Sequence, residues 1–239
     1  MLKSKHTSNI QDLLKLIALI VMMIDHYGMY LAQEEQILRS IGRFAFPIFA
    51  FYTGYNFHGK LRHSIWLFGA MLIGVHLYAF GHFISNILVT LACGQLYLFY
   101  TGKAIISDDQ MFFRHFVSML IFTIFTYLFI DYGTLGIAIM MVGYKYRNDS
   151  KKDEGYLLLA ILCTVIFNEY NMSQVFHNLW YAIVAVISVS ISGACLKYLN
   201  HYKPILVNLP MRYVTRNMLY IYFISMLGFI WMAYRGMNI

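Results

Sequence analysis

The sequence predicts an all-α fold: a polytopic transmembrane helical bundle of about nine spans with its N-terminus cytoplasmic. Three observations predict it. Charged residues make up only 12% of the chain and hydrophobic ones 60%, whereas soluble domains carry roughly a quarter charged residues. Apolar stretches long enough to cross a bilayer recur from end to end, and Lys and Arg collect in alternate connections. A mean hydropathy of +0.60 excludes a soluble globular domain or a disordered chain. Sixteen glycines and three prolines exclude collagen-like or low-complexity material.

A helix needs about 20 mostly apolar residues, roughly 17–25, to cross the hydrocarbon core. That criterion predicts spans at 12–32, 41–57, 64–81, 84–100, 112–130, 132–147, 155–170, 176–196 and 217–235. The first follows Lys3 and Lys5 as a signal peptide would, but its apolar run enters Asp25 and His26 without a small-residue cleavage site. It therefore reads as a retained span. The sixth and seventh are the shortest. The 197–216 connection carries Pro204 and Pro210, with Ile205, Val207, Leu209, Met211 and Tyr213 interleaved among polar residues. It reads as a surface-lying segment or a plain loop. Strand alternation of the barrel kind is absent, as is any convincing internal repeat, so residues 1–239 read as a single integral membrane domain.

The connections test the topology independently. With the N-terminus inside, the inner segments hold fifteen of the eighteen Lys and Arg residues, and the outer side holds Arg39, Arg43 and Arg235. This is the positive-inside pattern of a multi-pass membrane protein. It explains the net charge of +7 without nucleic acid as a partner. Cys93, Cys163 and Cys195 lie in apolar stretches at unrelated spacing and read as small packing residues.

Ionisable side chains within spans cost roughly 2.5–3.5 kcal/mol each on insertion scales and so need a reason. Asp25 and His26 lie about two-thirds along the first span, and Arg43 opens the second in Gly42-Arg43-Phe44-Ala45-Phe46-Pro47. A short loop of about ten residues makes the two helices antiparallel neighbours, and an Asp25–Arg43 ion pair is the simplest way to neutralise both charges. Neighbouring helix positions point about 100° apart, which leaves His26 to face a cavity as a proton carrier. The alternatives are a packing ion pair and a neutral imidazole bonded to a backbone carbonyl. Asp131 and Glu169 end later spans on the same side, with Asn86, His82 and Gln174 nearby. An acidic outer mouth would attract an amine, and a basic inner face would suit an anionic donor. His76 and His177 read as packing histidines or as site members. The chain has no H-E-x-x-H metal spacing, no phosphate-binding Gly-rich loop and no G-x-S-x-G elbow, so no metal is expected.

The run Ile24-Asp25-His26-Tyr27-Gly28, followed by Ile41-Gly42-Arg43-Phe44-Ala45-Phe46-Pro47-Ile48-Phe49-Ala50-Phe51, resembles the TraX family. Asn86-Ile87-Leu88 and Tyr132-Gly133-Thr134-Leu135-Gly136, before a span ending Tyr144-Lys145-Tyr146-Arg147, are similar to later family features. The resemblance implies a conjugation-linked inner-membrane protein that N-acetylates pilin subunits, with acetyl-CoA as donor. Under it, His26 would deprotonate the acceptor amine, Arg43 or Asn86 would support charge on the acyl oxygen, and Asp25 would orient His26 or Arg43. Asn86, Asp131, Tyr132 and Glu169 would bind substrate. Direct attack and an acetyl-histidine relay both remain open. Family members often carry a histidine in the last span after an aromatic pair, where this chain has Tyr222-Phe223-Ile224-Ser225. That departure places the weight on His26. A proton-coupled transporter and a non-catalytic pilus-assembly partner are the competing readings.

Overall fold

The computed structural model describes residues 10–32, 36–83, 86–126, 132–148, 161, 179–201 and 211–237. Among them every regular element is a helix. In chain order these are α1 (Ile10–Tyr30), α2 (Gln36–Gly42), α3 (Ala45–Tyr55), α4 (His63–Phe80) and α5 (Ile87–Ser107). There follow α6 (Asp109–Thr126), α7 (Leu135–Asn148), α8 (Leu179–His201), α9 (Met211–Arg216) and α10 (Met218–Met237).

Among the described residues, three helices are long and apolar enough to cross a membrane: Gln11–Tyr30 in α1, His63–Phe80 in α4 and Met218–Gly236 in α10. They match the first, third and ninth expected spans. The seventh, 155–170, lies outside the described residues apart from helical Ile161. Within the 197–216 connection α8 continues to His201 and α9 forms a short helix, with 202–210 outside the described residues.

The second expected span, 41–57, is not one helix. It breaks at Arg43-Phe44 between α2 and α3, where the Arg43 and Phe44 amides reach back to Ser40 and Ile41 carbonyls at 3.4 and 3.2 Å. Pro47 explains the break, because it has no amide to give the Arg43 carbonyl and its ring would collide with that carbonyl in a continuous helix. The interruption exposes backbone beside Arg43, which membrane proteins tolerate where the chain lines a cavity.

At the centre lies α7, whose residues from Leu135 to Val142 are all buried. Its fourteen residues span about 21 Å at 1.5 Å per residue, short of the roughly 30 Å hydrocarbon core. It packs against α3, α5 and α6. The α3–α7 crossing is backbone against backbone: a Cβ on Gly54 would lie 1.9 Å from the Met140 carbonyl oxygen, and one on Gly143 would lie 2.1 Å from that of Phe51. Small residues permit such close crossings where helices associate by packing alone. Threonines tie α6 to the start of α7. Thr123 and Thr134 both donate to the Met119 carbonyl, at 2.8 and 2.6 Å, and the Thr134 amide donates to Thr126 Oγ1 at 2.9 Å.

Around this centre, α4 presents Ile65, Gly69, Leu72 and His76 inward at helical spacing while Leu67 and Tyr78 face outward. Outward apolar side chains recur on α6 (Phe122, Ile124, Phe125) and α10 (Ile224, Trp231). An apolar exterior around a partly polar interior is the inverse of a soluble helix face. Helix α10 packs against α1 and α4, and α1 also against α2 and α3. The site lies where these meet, at the end of the bundle where α1 stops and α3 and α7 begin.

Candidate functional site

A cavity of about 210 Å³ opens at that end. Five residues of α1 line it, Met22, Asp25, His26, Met29 and Tyr30; their spacing i, i+3, i+4, i+7, i+8 is one helical face. Arg39, Gly42 and Arg43 come from α2 and the break after it, Leu72 and His76 from α4, Asn86 and Ile87 from the start of α5. Tyr132 comes from the turn before α7, and Tyr222, Met226 and Ile230 from α10. The cavity thus gathers five of the seven residues expected to act: Asp25, His26, Arg43, Asn86 and Tyr132. The other two, Asp131 and Glu169, lie outside the described residues, as do Gln174 and His177.

His26 is oriented by its own helix. Nδ1 lies 2.6 Å from the Met22 carbonyl oxygen, which can only accept, so Nδ1 carries a proton and, in the neutral ring, Nε2 holds the lone pair. The ring is stacked with Tyr30, centroids 6.4 Å apart, and meets Tyr222 edge-on at 5.7 Å. Tyr222 thus stands against His26, while Ile224, which follows the aromatic pair where the family resemblance would place a histidine, faces outward.

The expected Asp25–Arg43 ion pair does not form. Arg43 Nη1 donates instead to the Tyr132 hydroxyl at 2.7 Å, and the guanidinium lies 5.7 Å from the centroid of the Tyr132 ring. Asp25 Oδ1 is buried without a hydrogen-bond partner. The reason is the helix break: α2 ends at Gly42, so Arg43 leaves helical register and turns toward α7. Gly42 in turn packs on Asp25, where a Cβ would lie 2.3 Å from Asp25 Cβ and 2.7 Å from Oδ1. Asp25 also does not orient His26, because the Met22 carbonyl does so.

Tyr132 has φ 61° and precedes Gly133 at φ 53°. A left-handed tyrosine is strained by about 1–2 kcal/mol, and the fold holds it by stacking on Phe46, ring centroids 3.6 Å apart and nearly parallel. The Tyr-Gly pair thereby aims the hydroxyl at Arg43.

Asn86 serves structure first. Its side chain accepts the Leu88 amide at 3.1 Å, capping α5, and donates to the Gly69 carbonyl of α4 at 3.0 Å. A cap with both ends engaged clamps two helices and leaves one N–H for a ligand. The acyl-oxygen role expected for it has little left to use.

Three members were not foreseen as one site. Arg39 has a buried Nε with no hydrogen-bond partner. His76, 5% exposed, is the inward polar residue of α4, its Nδ1 3.4 Å from the His82 carbonyl oxygen. Tyr30 bridges the two histidine rings, 6.4 Å from His26 and 6.1 Å from His76. The i, i+4 spacing of Arg39 and Arg43 was the available signal for Arg39. No local pattern brings α4 or α10 to the cavity. His82 is exposed and bonds back to the Phe80 carbonyl at 3.0 Å.

A family model described as "TraX protein" matches residues 10–231. "Uncharacterized protein RP591" of Rickettsia prowazekii (strain Madrid E) is 32% identical over 240 residues, covering 95% of this chain and 93% of the relative. "Protein TraX" of Escherichia coli is 26% identical over 164 residues, covering 65% of this chain and 64% of that protein. No solved structure matches. With its three apolar helices of spanning length, this is a membrane protein, and it belongs to the TraX family.

Proposed function

We propose that the chain is a multi-pass acetyltransferase of the bacterial inner membrane. In this reading it moves an acetyl group from cytosolic acetyl-CoA to the N-terminal amine of a pilin subunit. The observation that carries the reading is the cavity itself: a carboxylate, guanidinium groups and a histidine whose Nδ1 alone is tied to the backbone share one space. An amine acceptor needs a base to take its proton, and an acyl group needs a cation where negative charge develops. His26 Nε2 meets the first need and arginine the second.

About nine spans with the N-terminus cytoplasmic belong to the same proposal, supported by the distribution of Lys and Arg. This places the cavity toward the outer side, where a membrane-inserted subunit would present its amine. Small-molecule sites commonly occupy about 300–1,000 Å³. The smaller volume here fits the acetyl thioester end of the donor together with an amine, and the nucleotide portion would stay outside.

The test is transfer of labelled acetyl from acetyl-CoA to an acceptor peptide by protein purified into liposomes. Label on the peptide N-terminus, lost in His26→Ala, is expected. No label with the wild type, or full activity in His26→Ala, overturns the reading.

A further inference from the structure

Two opposite charges line the cavity without meeting. Asp25 and Arg39 both face the same 210 Å³ space, and neither makes a hydrogen bond or ion pair with another described residue. Buried atoms of each, Asp25 Oδ1 and Arg39 Nε, have no hydrogen-bond partner among the described residues; the same holds for Arg43 Nε, but Arg43 spends its Nη1 on Tyr132. The groups around them are engaged: Arg43 with Tyr132, Asn86 with Gly69 and Leu88, His26 Nδ1 with Met22. Unpaired buried charge is costly to a fold and is normally removed by pairing. Here the chain seats Asp25 against a glycine, where no side chain can neutralise it. Opposite charges that line one cavity without pairing suit a ligand pair that presents a cation and a developing anion.

We propose that Asp25 and Arg39 form a charge clamp in which Asp25 receives the acceptor's ammonium and Arg39 receives the acyl oxygen of the thioester. The proposal rests on the transfer reading above and gives the acyl-oxygen role to Arg39, since Arg43 is turned toward Tyr132. The ammonium held by Asp25 releases one proton to solvent, and the amine nitrogen then bonds to the acyl carbon. The carbonyl electron pair moves onto the oxygen beside Arg39, and His26 Nε2 takes the remaining excess proton from nitrogen. The carbon–sulfur bond breaks with its electrons on sulfur, and the thiolate recovers that proton from His26. The products are an amide, a free thiol and one proton in solution.

The test uses the full chain in liposomes and two synthetic alanine–glycine hexapeptide amides, one with a free N-terminus and one N-acetylated. Titration calorimetry is expected to show free-amine binding weakened at least tenfold by Asp25→Asn, with the acetylated peptide within twofold of wild type. Arg39→Gln gives the converse, and Arg39→Lys recovers part of the loss. Both neutral variants unfold at a higher temperature than the ligand-free wild type, because each removes a charge without a partner. A merely structural role predicts lower unfolding temperatures instead. Lower temperatures with unchanged binding, equal effects on both peptides, or no binding of either overturn the clamp. If the binding pattern holds but the wild type transfers no acetyl, the clamp stands and the transfer reading falls. If the wild type transfers acetyl and Arg39→Gln keeps its full rate, the clamp alone falls.

Discussion

Gly42 and Asp25 touch across the first hairpin so closely that position 42 has no room for a side chain. A Cβ there would lie 2.3 Å from Asp25 Cβ and 2.6 Å from its Cγ. The Gly-Arg pair of the second apolar segment thus has two separate tasks: the glycine admits the carboxylate, and the arginine turns away from it.

Gly42→Ala is therefore expected to destabilise the protein by about 1–3 kcal/mol, the usual cost of overpacking. Thermal unfolding in detergent measures it. Asp25→Gly removes the colliding atoms, so the double variant should lose less than the sum of the two single losses. Strict additivity would show that the two residues do not press on each other.

Tyr132→Phe keeps the stack on Phe46 and removes the hydroxyl that accepts from Arg43. A hydrogen bond to a charged group contributes about 1.5–3 kcal/mol. The lower end is expected, because the guanidinium keeps its contact with the ring. Tyr132→Leu should cost more, since it loses both the stack and the hydroxyl while keeping the positive φ. Equal stabilities for the two variants would count against the stacking argument.

Asn86 separates two contributions. Asn86→Asp keeps an acceptor for the Leu88 amide but loses the donor to the Gly69 carbonyl; Asn86→Ala loses both. Loss of an N-cap costs about 0.5–2 kcal/mol. Hydrogen exchange in the first turn of α5 should therefore rise sharply in the alanine variant and little in the aspartate one. In both, α4 should loosen near Gly69.

The α3–α7 crossing should be the least forgiving place in the molecule. A Cβ on Gly143 would meet the Phe51 carbonyl oxygen at 2.1 Å, and backbone cannot rotate aside as a side chain can. Gly143→Leu is expected to cost more than about 3 kcal/mol, the range of severe core disruption. Loss of folded protein on size-exclusion chromatography reads it out. A folded, monodisperse variant would overturn the backbone-contact description.

If His26 Nε2 is the base, acetyl transfer should rise with pH as the imidazole loses its second proton. Nδ1 keeps its proton, donated to the Met22 carbonyl, throughout, so the histidine contributes a single titration beside that of the acceptor amine. The profile of initial rate against pH measures it, and a flat profile that survives His26→Gln would remove histidine from the chemistry.

Scarce charge and long apolar runs determined the helical class, because spanning length and backbone satisfaction in lipid are local properties of a segment. The face made by Met22, Asp25, His26 and Met29 was equally legible, since one helix sets its own periodicity. The break before α3 was not read, although Pro47 carries it, because the hydropathy of 41–57 argued for a continuous span. Hydropathy averages over a window, and a missing amide does not register in it. Tertiary structure alone decided who meets whom. Arg43 reaches Tyr132 across 89 positions, while Arg39, one helical turn earlier, lines the same cavity without such a bond. His76 and Tyr222 arrive there from α4 and α10, and nothing within either segment marks that destination. Periodicity tells a residue which side of its helix it occupies; only the packing of distant helices determines what stands opposite.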